Sequence, residues 1–385
     1  MSHLSKIIAV FVSLSLVAGN ALYAENSLPG SISYDKGLVI DFPTQQAGLK
    51  LNLQSQIRYR YRDFDESAER GKEDDSGFDA RRVRLHIKGY ILDKLVSYKV
   101  MNDFVSKEDK GGDGRKTSDL KEAYLDLRLA EYGALRAGQF VVPYSRQEVA
   151  SSSAQQFVER SIVTQEFVDS YRLGAGYFGP SKTLQTFVGL FNGDSKLDGV
   201  SESGTNHPAL DVNLEGVVFV ALNGNGYDRS FEADPNDSPE LQWTLGSGLT
   251  YAEGENDSAS FDEHKLGFDG ALRYQGGSLQ GEVFYRAFDL AGETTNDRGF
   301  YLESGYFIVP SLWEAALRYG VIVADKGPLA AGDHGDKSEY NLILNRYLNG
   351  HALKIQTSLS FLETDVLAGD SLLDTVAEVQ IAALF

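Results

Sequence analysis

Between Leu49 and Arg62 the chain alternates strictly. Leu49, Leu51, Leu53, Ile57, Tyr59 and Tyr61 share one parity, interrupted only by Ser55, and the other parity is polar or cationic, ending in Arg58, Arg60 and Arg62. Side chains of a strand point alternately to its two faces, so this segment predicts a strand with one apolar and one hydrated side. Its fourteen residues exceed the usual soluble strand of about 5–6 and suit one tilted across a bilayer. Sixteen such segments can be drawn, at approximately 49–62, 78–91, 95–105, 119–129, 133–142, 167–178, 182–191, 210–222, 239–251, 264–274, 277–288, 299–308, 312–323, 338–346, 352–362 and 373–385.

The predicted fold class is therefore all-β, a transmembrane antiparallel β-barrel of about 16 strands. Strands can cross hydrocarbon only in a closed barrel, because an open edge would leave backbone groups unpaired at several kcal/mol each. No stretch reaches the roughly 18–20 consecutive apolar residues of a transmembrane helix. Short links such as Leu92-Asp93-Lys94, Gly179-Pro180-Ser181, Gln275-Gly276 and Asn349-Gly350 mostly alternate with longer ones, the rhythm of periplasmic turns and external loops. Segment 223–238 breaks that rhythm, being long where a short turn is due: either a strand is misplaced there or the turn is enlarged.

The ends support export to an outer membrane. Lys6, the apolar run Ile7 to Ala18 and small residues before Glu25 form a secretory signal over 1–24. Residues 25–48 are expected to be a short periplasmic segment and 49–385 the barrel. The chain closes Ala377-Glu378-Val379-Gln380-Ile381-Ala382-Ala383-Leu384-Phe385, with apolar odd positions and a terminal aromatic, and this resembles the last strand of bacterial outer-membrane barrels.

Composition narrows the chemistry. A net charge of −19 with no basic domain argues against nucleic acid as a partner, and the lack of cysteine removes disulfides and thiolate sites. No Gly-x-Ser-x-Gly, His-Glu-x-x-His or phosphate loop occurs, and the six histidines are scattered; no catalytic residues, metal or cofactor are predicted. The acidic surplus lies in the long connections, as in Glu73-Asp74-Asp75 and Glu253-Gly254-Glu255, where solvated tips and contacts to divalent cations or lipopolysaccharide are alternatives.

Parity gives the lumen the opposite sign. Arg58, Arg60, Arg62, Arg82, Arg84, His86, Lys88, Lys99, Arg128 and Arg136 turn inward, followed by Arg172, Lys265, Arg273, Arg286, Arg318 and Lys354. The acids Asp103, Glu122, Asp126, Asp269, Glu282, Glu303, Glu314 and Glu378 stand against them. A basic wall beside low-dielectric surroundings concentrates anions. Alternatively, those arginines pair with acids of an inward loop and brace the barrel. Loop 143–166 is the candidate constriction, through Ser151, Ser152, Glu159 and Arg160.

Specific blocks carry a family resemblance. They are Gly77-Phe78-Asp79-Ala80-Arg81-Arg82-Val83-Arg84-Leu85, Tyr98-Lys99-Val100-Met101-Asn102-Asp103-Phe104, Leu120-Lys121-Glu122-Ala123-Tyr124-Leu125-Asp126, Ala137-Gly138-Gln139-Phe140-Val141-Val142-Pro143-Tyr144-Ser145 and Phe157-Val158-Glu159-Arg160-Ser161. Together they resemble the phosphate-selective porin O and P family. The resemblance implies a sixteen-stranded outer-membrane channel, a homotrimer, with basic residues lining an anion path, and it places Arg82 and Arg84 in the family's Arg-Arg-x-Arg strand. Val141 stands where many relatives carry Lys, and no central lysine cluster stands out along the chain. The expectation is a passive channel for small hydrophilic solutes leaning toward anions such as phosphate. The alternatives are a general or cation-tolerant porin and a non-conducting structural barrel; an outer-membrane hydrolase lacks a nucleophile and base.

Overall fold

The structure is a computed structural model and describes residues 30–64, 74–108, 116–192, 211–255, 260–290, 292–325, 335–365 and 371–385. The export signal expected over 1–24 lies outside them. The chain first forms a hairpin of β1 (Ser31–Tyr34) and β2 (Leu38–Phe42). The barrel strands follow as β3 (Ala47–Asp63), β4 (Asp75–Ile91), β5 (Val96–Glu108), β6 (Lys116–Arg128), β7 (Ala134–Val141), β8 (Tyr171–Phe178), β9 (Leu184–Phe191) and β10 (Asp211–Gly224). The second half comprises β11 (Gln242–Glu255), β12 (Ser260–Tyr274), β13 (Gly277–Leu290), β14 (Glu293–Val309), β15 (Trp313–Val323), β16 (Lys337–Asn349), β17 (Leu353–Asp365) and β18 (Ser371–Leu384).

Each strand from β3 to β18 pairs antiparallel with its neighbours in sequence. The cylinder closes where β18 pairs β3, from Thr375 opposite Asp63 to Leu384 opposite Gln54. Below that point β2 takes over the same edge of β3, from Leu38 opposite Leu51 to Phe42 opposite Ala47. The backbone of Phe385 exchanges two hydrogen bonds with Leu53 between them. The expected segment 25–48 thus contains a hairpin that seals the seam, a feature absent from the sixteen drawn segments.

Burial follows the period of two that the sequence shows. Leu245, Leu249, Phe268, Leu317, Leu342 and Ile381 are exposed toward the surroundings, while Gln54, Gln56, Asn345, Lys354 and Gln380 are almost fully enclosed. An inverted pattern of this kind, apolar outside and polar inside, is what lipid around a hydrated lumen requires.

Among the described residues, two chain segments occupy that lumen. The link between β7 and β8 turns inward and forms α1 (Arg146–Val149) and α2 (Ile162–Phe167). Each helix starts on a serine cap: Ser145 Oγ accepts from Glu148 N and Ser161 Oγ from Thr164 N. The expected strand 167–178 begins late, at Tyr171, because Phe167 closes α2 and residues 168–170 carry the chain from the helix to the wall. Val142, Tyr144, Val163, Phe167 and Val168 of this loop pack on inward Phe140, Phe187, Phe191, Phe284 and Tyr301. Space for them is made by glycine: a Cβ on Gly299 would lie 2.6 Å from Phe167 Cε2 and 2.8 Å from Val163 Cγ1.

The second segment is the break in the turn rhythm. Residues 225–241 contain no strand and form an enlarged turn on the side of the chain's C-terminus. They enter the barrel and meet the loop, with Ser151 N donating to Ser230 O at 3.1 Å and Glu232 N to Ala154 O at 2.9 Å. Arg229 fixes the turn to the wall through a bidentate pair with Asp269 at 2.7 and 2.8 Å.

Candidate functional site: the inward loop and the cationic wall

On β3 and β4 the inward parity assembles a guanidinium cluster around one loop carboxylate. Arg58 Nη1 donates to Glu159 Oε1 at 2.9 Å and Arg82 Nη2 to Glu159 Oε2 at 3.1 Å. Arg81 reaches the same group with two donors, Nη2 to Oε2 at 2.9 Å and Nε to Oε1. Strict alternation would point Arg81 at lipid. It turns inward because Gln56 faces Arg82 while the next residue, Ile57, faces Ala80, so Arg81 is the extra residue of a β-bulge. Burial alone would raise the Glu159 carboxyl, but Arg82, Arg81 and Arg58 outweigh it and hold the group well below the usual carboxylate range.

The other expected pore residues are held to different degrees. Arg58 also bonds Asp79 at 2.8 Å and lies 3.0 Å from Glu378. Arg84 donates to Asp103 at 2.7 Å and to Ser152 Oγ at 3.0 Å. Arg62 pairs Asp75, and Lys99 pairs Glu122. Arg136 grips Asp126 at 2.7 and 2.9 Å and lies over the rings of Tyr124 at 3.8 Å and Phe178 at 4.6 Å. Arg128 is exposed at the turn end, where it donates to Asp93 O. Within the loop, Ser151 bonds Ser153 Oγ, and Arg160 bonds Glu148 at 2.9 Å together with carbonyls of Gln147 and Glu148. Arg60 and Lys88 form no ion pair among the described residues.

Pairing reveals a second cationic group that parity alone does not. Lys50 stands directly opposite Lys88, and Lys88 opposite Lys99, so three lysines run across β3, β4 and β5 toward the turn end. Lys50 is paired to Asp35 of the N-terminal hairpin at 3.0 Å. His86 lies between the two groups along β4, its Nε2 3.3 Å from Gln54 Oε1.

The opposite wall is acidic. Glu282 on β13 accepts from Ser145 Oγ at 3.0 Å, Arg146 N at 3.2 Å, Gln147 N at 2.7 Å and Tyr301 OH at 2.7 Å. Glu314 on β15 accepts from Gln156 Nε2 at 2.6 Å, Asn345 Nδ2 at 2.9 Å and Tyr347 OH at 2.7 Å. Glu339 on β16 takes Ile162 N at 3.0 Å. Arg318 donates 3.0 Å to the carbonyl of Glu159 and pairs Glu339 at 3.1 Å. The loop is thus fastened to both sides of the barrel. Above it, on the side of the long loops, lies a cavity of about 490 Å³ lined by six arginines and four carboxylates.

A closed sixteen-stranded cylinder with an apolar outer face, a charged lumen and a loop crossing that lumen defines an outer-membrane porin. More narrowly, the chain belongs to the family of phosphate-selective porins O and P, whose model matches residues 51–363. An uncharacterised protein of Aquifex aeolicus (strain VF5) is 23% identical over 320 residues, covering 75% of this chain and 76% of that protein. Among solved structures, the anion-selective porin of Comamonas acidovorans shares the fold with a TM-score of 0.63 at 14% identity, covering 88% of this chain and 100% of the other. The outer-membrane channel DcaP of Acinetobacter baumannii gives 0.63 at 13% identity, with 88% and 97% covered.

Proposed function

We propose that this porin passes small hydrophilic anions, phosphate among them, along the β3 to β5 wall. The observation that carries the reading is the placing of Arg60 and Lys88, two cations without an ion-pair partner among the described residues, on either side of the Glu159 clamp. An anion entering the outer cavity meets Arg62 and Arg60, passes the clamped Arg58, Arg82 and Arg84, and reaches Lys88 and Lys99. Arginine remains charged throughout this path and grips phosphate or carboxylate oxygens with two donors. The stops must stay weak for conduction, and pairing with Glu159, Asp79 and Asp103 moderates them. Diffusion of this kind involves no chemical step, catalyst or cofactor.

The same pairings favour a second reading. Arg58, Arg82 and Arg84 all hold carboxylates, which suits a general porin whose arginines brace the loop. Reversal potentials in a potassium chloride gradient, repeated with phosphate and gluconate, separate the two. An anion preference that falls in the Arg60→Gln, Lys88→Gln double variant supports the proposed path, and a cation preference of the parent protein overturns it. Cleavage of 1–24, assembly as a homotrimer, and contacts of the acidic external loops with lipopolysaccharide belong to this reading; the mass of the detergent-extracted protein tests the first two.

A further inference from the structure

Most inward positions of this barrel are polar, but β7 to β10 turn five phenylalanines inward, Phe140, Phe178, Phe187, Phe191 and Phe219. Phe140 and Phe191 are covered by the loop and by each other, with ring centroids 5.1 Å apart. Phe178, Phe187 and Phe219 instead line a cavity of about 370 Å³ on the turn side of the loop. The rings of Phe178 and Phe187 are 4.6 Å apart and tilted by 51°. Pro143 and Val149 of the loop contribute further apolar surface, and the enlarged turn 225–241 bounds it through Asp228 to Ser230.

Two polar side chains of this cavity are uncommitted. Lys182 is exposed, and Gln185 is half-buried; neither side chain has a partner among the described residues. Of the other charges here, Arg229 holds Asp269 and lies 5.1 Å over the ring of Phe219, and the exposed Asp228 accepts the Ser230 N–H at 2.8 Å. Apolar walls with a few convergent polar groups, in a volume of about 300–1,000 Å³, are the general form of a small-molecule site. Phe187 is 1% and Phe219 7% exposed, so the apolar surface left facing this cavity belongs mainly to the half-buried Phe178 and Val149, and an apolar solute body would cover it.

We propose that this cavity is a solute site on the periplasmic side of the constriction, and that it takes small organic acids with an aromatic or compact apolar body. The ring rests on Phe178 and Val149 while the carboxylate meets the Lys182 ammonium and the Gln185 amide. The proposal rests on the anion path above, which delivers carboxylates to this chamber, and it adds a preference that inorganic anions cannot satisfy.

The test uses the full-length protein in planar bilayers carrying potassium chloride current, with benzoate, acetate, benzyl alcohol or glucose added to each chamber in turn. Benzoate should interrupt the current from one side at concentrations where the other three do not. Phe178→Ala and Lys182→Gln should each raise the benzoate concentration needed by about 2- to 10-fold. Equal responses to acetate and benzoate overturn the proposal, as does a response to benzyl alcohol or glucose that matches benzoate, or a benzoate response unchanged in both variants. Should Phe178→Ala fail to insert, Lys182→Gln decides alone. Reversal potentials report the anion path independently, so an anion-selective pore indifferent to benzoate rejects this site and leaves the path standing.

Discussion

The loop between β7 and β8 meets two walls of one barrel in opposite ways. On β3 and β4 it presents a carboxylate, Glu159, to Arg58, Arg81 and Arg82. At the carboxylates of β13 and β15 it presents neutral donors, the amides of Arg146 and Gln147 to Glu282 and the side chain of Gln156 to Glu314, while its Glu166 pairs Arg286 of β13 at 3.1 Å. The first contact joins two charged partners; the second spends uncharged groups on a charge the wall already carries. The loop's Glu159 therefore partly neutralises the cationic wall, whereas at Glu282 and Glu314 the loop supplies hydrogen bonds and no opposite charge.

The largest expected effect lies in the wall itself. Asp103→Ala would leave the Arg84 guanidinium enclosed without its carboxylate, and removing one partner of a buried pair typically costs about 3–5 kcal/mol. Urea denaturation monitored by heat-modifiable migration should show that loss. On the acidic wall, Glu314→Gln retains a carbonyl for Tyr347 or Asn345 to reach but turns an amide N–H₂ toward donors, and the expected cost is smaller, about 1–3 kcal/mol. Equal losses would erase the distinction between the walls.

Selectivity sharpens the comparison further. Glu159→Gln removes one negative charge from the middle of three arginines, and chloride over potassium permeability should rise by roughly tenfold, about 1.4 kcal/mol on the permeating ion. An unchanged reversal potential would mean that the clamp lies off the conducting path.

The smallest effect concerns pH. Because the folded pKa of Glu159 is depressed below its ordinary 4.5, its stabilising contribution is fully present above pH 4.5 and is lost only as pH falls through the depressed folded value. The difference in selectivity between the parent protein and Glu159→Gln should therefore stay constant from pH 8 to pH 4.5, and its loss centred near pH 4.5 would show a carboxylate that is not clamped.

Much of this was legible in the chain because the signal repeats. Sixteen strands each alternate at period 2, and a long alternating run survives a local exception such as Ser55. Single events are less legible. Arg81 breaks parity at a bulge, so only its position in Arg81-Arg82-Val83-Arg84 hinted at a second inward arginine. Lys50, Lys88 and Lys99 become neighbours through strand register, which parity does not contain. Only the last residue of α2, Phe167, falls in the strand expected from 167, because Phe167 and Val168 suit a strand equally well; the rest of the helix lies in the expected loop 143–166, with the cap at Ser161 as the available cue. The hairpin of β1 and β2 is built from strands of four and five residues, too brief for alternation to stand above chance. The enlarged turn 225–241 showed itself only by its length; its entry into the lumen depends on the pairing of Arg229 with Asp269 on β12, and contacts between distant segments leave no period to read.

The seam beside β3 also bears on how the molecule comes into being. Strand β3 pairs with β18 across most of the chain length, and such a pairing is slow to form because so much loop entropy must be surrendered first. The five residues of β2 reach the same edge through a link of only four. This local zipper can set the register of β3 long before the final strand arrives, leaving β18 a shortened edge on which to dock and its terminal Phe385 to slot in above the hairpin.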